Sequence, residues 1–206
     1  RASFEMGMLH LGGHALYFSP FEIQLGERES VADVSRVFSR YVDGIMARVF
    51  GHNDVVVLAE YSSAPVINGL SDYNHPCQGL SDLLTIVENK GKDLEDRKLA
   101  FVGDGNNVAT SLLFGATLMG MDFAIATPPG YELPDDVWEQ GKSFAAASGS
   151  DLLATHDPET AAADADVVYT DVWASMGEEE EAEERARIFS PFQVNQSLLD
   201  HAKPDV

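Results

Sequence analysis

The chain has 206 residues, 45% of them apolar, which is enough for a sizeable core in one large domain or two small ones. Its 13 basic against 34 acidic residues give a formal charge of -21, which as a whole repels nucleic acid and anionic membranes. The one cysteine, Cys77, excludes an internal disulfide and a thiolate zinc cluster, and no stretch reaches the ~18 to 20 uninterrupted apolar residues of a membrane span.

Period and punctuation predict a helix at 2–11, a strand at 14–19, a helix capped by Ser30 at 31–41 and a strand at 44–49. A helix at 52–60, a short strand at 65–67 and a long helix at 76–89 follow, the last started by Pro76 and stopped near Gly91. After the charged connection Lys90 to Lys98 the alternation restarts, with strands at 98–104, 122–127, 151–155 and 167–171 and helices at 106–120, 135–148 and 158–165. Repeated β-α units call for parallel strands with helices on both faces. The expected fold class is therefore α/β, in two Rossmann-like domains, each a parallel sheet flanked by helices. Residues 1–90 form the first domain and 91–206 the second, with helix 76–89 as the bridge. The acidic run Glu178 to Glu184 reads as a solvated helix face.

Ligands of open α/β sheets sit beyond the carboxyl ends of the strands, so the residues that follow each strand are the candidates for chemistry. Arg48 ends the second strand and offers a fork suited to a phosphate or a polarised carbonyl, although surface ion pairing would use it equally well. In Asn74-His75-Pro76-Cys77-Gln78, proline fixes a helix start and leaves His75 at the helix mouth and Gln78 one turn in, near free backbone N–H groups. Cys77 has no evident activating base and reads as a small apolar residue.

Gly103-Asp104-Gly105-Asn106-Asn107-Val108 lacks the third glycine of a dinucleotide fingerprint, which disfavours nicotinamide binding. Its two asparagines either hold an amino-acid-like group or cap the helix. Asp171 ends a strand and can pair with a ligand ammonium, and Ser175 with the Met176-Gly177 backbone can meet a carboxylate. Together with Asn107 they suggest a pocket for both charges of an amino acid.

These segments resemble, in order and over almost the whole chain, the ornithine carbamoyltransferases of the aspartate/ornithine transcarbamylase superfamily. The matching stretches are Arg1-Ala2-Ser3-Phe4-Glu5, Gln24-Leu25-Gly26 with Glu29-Ser30, Asp43-Gly44-Ile45 leading to Arg48, His75-Pro76-Cys77-Gln78, Gly103-Asp104 through Asn107, and Asp171-Val172-Trp173-Ala174-Ser175-Met176-Gly177-Glu178. The resemblance implies that Gln24, Arg48, His75 and Gln78 contact carbamoyl phosphate, with Pro76 and Cys77 shaping the segment between them. It implies that Asn107, Asp171, Ser175 and Met176 hold L-ornithine, and that Ser-Met-Gly selects ornithine over aspartate.

The implied reaction is carbamoyl transfer to the ornithine δ-amine, giving citrulline and phosphate, with Arg48 and His75 catalytic. No metal and no organic cofactor is implied. A homotrimer with sites at subunit contacts is implied, and a cytoplasmic location fits the single cysteine and the absence of a signal-peptide pattern in residues 1–20. In that family a Ser-Thr-Arg-Thr loop precedes the position of Arg1 and a His-Cys-Leu-Pro segment follows that of Val206. A longer parent chain is therefore expected, with little turnover from these 206 residues alone. The alternatives are a related transcarbamylase using another amine, and a non-catalytic remnant of the same fold.

Overall fold

The computed structural model of the chain describes residues 1–174 and 181–206. The described residues fall into two compact units, Arg1–Ala47 with Asn53–Ile67, and Arg48–His52 with Asn68–Val206.

The first unit begins with α1 (Ala2–His10), α2 (Pro20–Ile23) and α3 (Val31–Phe38). Serines start the last two: Ser19 forms a capping box with Glu22, and the Ser30 hydroxyl accepts from the Asp33 N–H. β1 (Ile45–Arg48), α4 (His52–Tyr61) and β2 (Val66–Leu70) follow, β1 and β2 forming a two-stranded sheet, and of these elements Arg48, His52 and residues 68–70 count with the second unit. Val34 of α3 and Val55 and Leu58 of α4 are buried, and the Ser35 hydroxyl donates to the Leu58 carbonyl at 2.6 Å.

One expected element is absent from this unit. Residues 14–19 form no strand. A strand exists by pairing, and among the described residues that sheet consists of β1 and β2 alone. Phe18 instead stacks on Phe38, with ring centroids 5.1 Å apart.

The second unit is built on a parallel sheet of β3 (Lys98–Val102), β4 (Asp122–Ala126), β5 (Leu152–Thr155) and β6 (Val167–Tyr169), in the order β5-β4-β3-β6. Alternation along the strands divides the core in two. Leu99, Phe101, Phe123 and Ile125 face α5 (Pro76–Lys90), α6 (Asn107–Leu118) and α7 (Asp135–Ser148). Val102, Ala124 and Ala126 face α8 (Pro158–Ala162), α9 (Ala182–Phe189), a 3-10 turn at Ser190–Phe192 and α10 (Gln196–Leu199). This is the α/β layering that the sequence predicts.

α5, expected as a bridge between domains, packs within the second unit. A Cβ on Gly79 would meet the Ser111 Cβ at 3.2 Å, so α5 and α6 approach almost backbone to backbone. The order β4-β3-β6 also places a topological switch point between β3 and β6, because the chain leaves β3 toward β4 on one side and β6 flanks it on the other.

Candidate active site

Pro76 occupies the first turn of α5 and leaves His75 as the residue before it, with φ -128° and ψ 67°. The His75 N–H donates to the Ser111 hydroxyl oxygen at 2.7 Å, and the Ser111 hydroxyl donates in turn to the Asn107 carbonyl at 2.9 Å. Helix α6 thus fixes the backbone from which the His75 ring projects. Nδ1 of that ring is buried and has no partner among the described residues. Burial, and then the positive charge of Arg48, hold the imidazole below its ordinary range, against the opposing pull of Asp82 and Asp171. His75 is therefore neutral near pH 7.

Arg48 ends β1, exposed, and its side chain makes no hydrogen bond or ion pair with the described residues. Its guanidinium is left available to an anion. Cys77 donates from Sγ to the Asn68 carbonyl at 3.4 Å, and burial raises its thiol above the ordinary range. That environment makes a poor nucleophile and fits the reading of Cys77 as a shaping residue. Gln78 donates from Nε2 to Asp82 Oδ1 at 2.8 Å. Tyr169, at the end of β6, is pushed well up, first by burial and then by the charge of Asp82.

The switch point between β3 and β6 carries the second cluster. Asn106 is the cap of α6: its Oδ1 accepts from the N–H groups of Val108 and Ala109 at 3.0 and 3.1 Å. Its Nδ2 donates to Asp171 Oδ2 at 3.2 Å, tying the ends of β3 and β6 together. Asp171 Oδ1 accepts from the Val172 N–H at 2.8 Å. Asn107 donates from Nδ2 to the Ser71 carbonyl at 2.7 Å. Of the two readings of the asparagine pair, helix capping is met by Asn106, while the NH2 of Asn107 is engaged by the Ser71 carbonyl.

Of the residues singled out from sequence, Arg48, His75, Pro76, Cys77, Gln78, Asn107 and Asp171 all lie in the second unit. The charges of both Arg48 and Asp171 act on His75. Gln24 belongs to the first unit, where it ends α2 with a left-handed φ of 45°. Ser175 and Met176 lie outside the described residues. Sequence reasoning passed over Asn106 as a partner for Asp171, Ser111 as the support of His75, and Asp82. Helical spacing carried the signal for two of them, since Asp82 stands four residues after Gln78 and Ser111 four after Asn107.

Comparison with known proteins places these residues in a family. The model of the aspartate/ornithine carbamoyltransferase carbamoyl-P binding domain matches residues 1–88, and that of the Asp/Orn binding domain matches residues 95–206. An ornithine carbamoyltransferase of Pyrococcus abyssi is 57% identical over 205 residues, and one of Bacillus subtilis 54% identical over 205 residues; each match covers 100% of this chain and 64% of the relative. The solved ornithine carbamoyltransferase of Pyrococcus furiosus superposes with a TM-score of 0.95 at 56% identity, covering 100% of this chain and 65% of that one. The chain thus spans about two thirds of the length of these relatives, 64% to 65%.

Proposed function

This chain belongs to the aspartate/ornithine carbamoyltransferase family, and from that premise we propose that the protein carrying it transfers the carbamoyl group of carbamoyl phosphate to the δ-amine of L-ornithine, releasing L-citrulline and phosphate. The observation that carries this reading is identity of 51% to 57%, over 98% to 100% of the chain, to proteins named ornithine carbamoyltransferase. The name "anabolic" given to the Pyrococcus furiosus relative supports the biosynthetic direction.

In this reading Gln24, Arg48, His75 and Gln78 contact carbamoyl phosphate, Pro76 and Cys77 shape the segment, and Asn107, Asp171, Ser175 and Met176 hold ornithine. The neutral δ-amine attacks the carbamoyl carbon and the carbonyl oxygen gains negative charge. Arg48 and the neutral His75 donate to that oxygen. The carbonyl then re-forms as the carbon–oxygen bond to phosphate breaks, and the proton of the attacking nitrogen passes to the departing phosphate. A cation and a neutral N–H donor suit this step, because the charge they stabilise exists mainly in the transition state. Asp171 takes the ornithine ammonium, with its orientation set by Asn106.

The domain division goes with the same reading: residues 1–90 serve carbamoyl phosphate and 91–206 serve ornithine, close to where the two family models part. A trimer-based assembly and a cytoplasmic location complete it; no described helix is long and apolar enough to cross a membrane. The test is citrulline formation from carbamoyl phosphate and ornithine by the gene product carrying this sequence. Arg48→Ala is expected to slow it by on the order of 10²-fold to 10³-fold. A wild-type protein no faster than that variant would overturn the assignment.

A further inference from the structure

Gln78 and Asp82 stand one turn apart on α5 and share a face of the helix. The Gln78 Nε2 donates to Asp82 Oδ1 at 2.8 Å. An ionised carboxylate accepts hydrogen bonds and donates none, so this contact fixes which way the amide points. The NH2 is turned onto Asp82, and the carbonyl oxygen is the end left for another partner. That matters because Arg48, whose charge acts on the adjacent His75, offers only N–H donors. A ligand bearing its own N–H groups needs an acceptor here, and the oriented Gln78 carbonyl supplies one.

Asp82 is poorly placed to stabilise the fold. Its Oδ2 is buried without a close partner, and besides Gln78 the Tyr169 hydroxyl is the one hydrogen-bond donor that acts on the carboxylate among the described residues. Burial raises its carboxyl above the ordinary range, with the charge of Asp171 acting the same way, and this outweighs the opposing contributions of Gln78, Tyr169 and His75. A half-satisfied buried carboxylate costs folding free energy, and an apolar residue of similar size is often neutral or better in such a place.

We propose that Asp82 is a positioning residue for donor selectivity: by holding the Gln78 NH2 it presents the Gln78 carbonyl oxygen to the carbamoyl amine, and so favours carbamoyl phosphate over acetyl phosphate, which carries a methyl group in place of that amine. The inference rests on the proposed function above. A site built to hydrogen-bond a substrate N–H rejects the analogue that lacks it, because the protein's own polar group is then left unpaired. Once Asp82 is gone the amide is free to turn, and the discrimination falls.

The experiment is titration calorimetry of the gene product with freshly prepared carbamoyl phosphate and with acetyl phosphate, for wild type, Asp82→Leu, Asp82→Ala and Asp82→Asn, with a thermal melt of each. Asp82→Leu and Asp82→Ala are expected to reduce the ratio of the two affinities by about tenfold or more without lowering the melting temperature. Asp82→Asn retains a side-chain acceptor for the Gln78 NH2 and is expected to keep the ratio within about threefold of wild type.

Equal weakening of both ligands, with an unchanged ratio, would show a merely structural role and overturn the proposal. Variants that fail to fold would overturn it too, since they would make Asp82 a stabilising residue. Loss of discrimination in Asp82→Asn as complete as in Asp82→Leu would also refute it. A wild-type protein that binds neither ligand would remove the functional reading itself, whereas one that binds carbamoyl phosphate while the variants keep its ratio would remove only this inference.

Discussion

The guanidinium of Arg185, on α9, lies 2.8 Å from the carboxylate of Asp104 at the end of β3, with 7% and 11% of the two side chains exposed. Arg185 also donates to the Trp173 carbonyl at 3.0 Å and lies over the Tyr131 ring, 5.0 Å from its centroid. One cation thus ties α9 to the carboxyl end of the sheet. Glu181, 65% exposed, also lies 3.5 Å from the Arg185 Nε, but removing Asp104 takes away the buried counter-charge, whereas replacing both members of the buried pair by apolar groups does not leave a charge behind. Asp104→Leu is expected to cost about 3 to 5 kcal/mol of stability, and Asp104→Leu with Arg185→Met distinctly less than the sum of the two single losses. Urea unfolding of the four proteins measures the coupling, and strict additivity would argue against it.

The environment of His75 makes a prediction that needs no turnover. Burial and the charge of Arg48 lower its pKa, while Asp82 and Asp171 raise it. A neighbouring cation disfavours the imidazolium, so Arg48→Ala should move the His75 titration to higher pH. Asp82→Asn removes a negative charge and should move it lower. Proton NMR of the ring Cε1–H across pH 4 to 8 reads both shifts directly. Movement in the same direction in the two variants would show that the charges on His75 have been misassigned.

Gly105 separates Asp104 from the cap of α6, and its N–H donates to the Tyr131 carbonyl at 2.9 Å. A Cβ there would stand 2.5 Å from the Glu132 carbonyl carbon and the Leu133 nitrogen, and 2.7 Å from the Tyr131 oxygen. Those neighbours are backbone and cannot turn away. At Gly115 the obstacle is the Leu83 Cδ1 at 2.8 Å, the end of a flexible side chain. Gly105→Ala should therefore cost about 3 kcal/mol or more and Gly115→Ala about 1 kcal/mol, as judged by urea midpoints. Equal losses would mean that the Tyr131–Leu133 segment yields as easily as a leucine methyl.

What was legible in the sequence follows from how local each signal is. Ser30, Pro76 and Gly91 declare helix ends through their own backbone chemistry, and the structure has them at those ends. The apolar run Leu99-Ala100-Phe101-Val102 declares a strand covered on both faces, and all four residues are buried. Residues 14–19 look like a strand locally but depend on a pairing partner, which local pattern cannot supply. Arg185 follows a run of glutamates that reads as a solvated face; Glu181, Glu183 and Glu184 are exposed as expected, yet Arg185 is 6% exposed because Asp104, 81 residues earlier in the chain, receives it. In the candidate site, the motif residues His75, Gln78, Asn107 and Asp171 could be named from their positions at strand and helix ends. Asp82 and Ser111 left only a helical spacing and Asn106 only a capping signal, since the contacts to Tyr169, His75 and Asp171 come from neighbours that the fold brings to them.

Asp166 joins β3 and β6 at their amino ends. It is 4% exposed, and its oxygens accept from Arg97 at 3.2 Å, the Lys98 N–H at 2.9 Å and Lys203 Nζ at 2.8 Å. Burial alone would raise its pKa, but the Lys203 and Lys98 hydrogen bonds and the charges of Lys203 and Arg97 prevail and lower it. A carboxyl with a depressed folded pKa contributes stability above its unfolded pKa of about 3.9 and loses that contribution as pH falls through the folded value. Asp166→Asn should therefore be less stable than wild type by about 3 kcal/mol at pH 7, because Arg97 and Lys203 lose their counter-charge. The gap should stay constant down to about pH 5 and close progressively below about pH 4. Urea midpoints of the two proteins from pH 7 to pH 2.5 measure it, and curves that remain parallel to the lowest pH would mean that Asp166 keeps no depressed pKa in the folded chain.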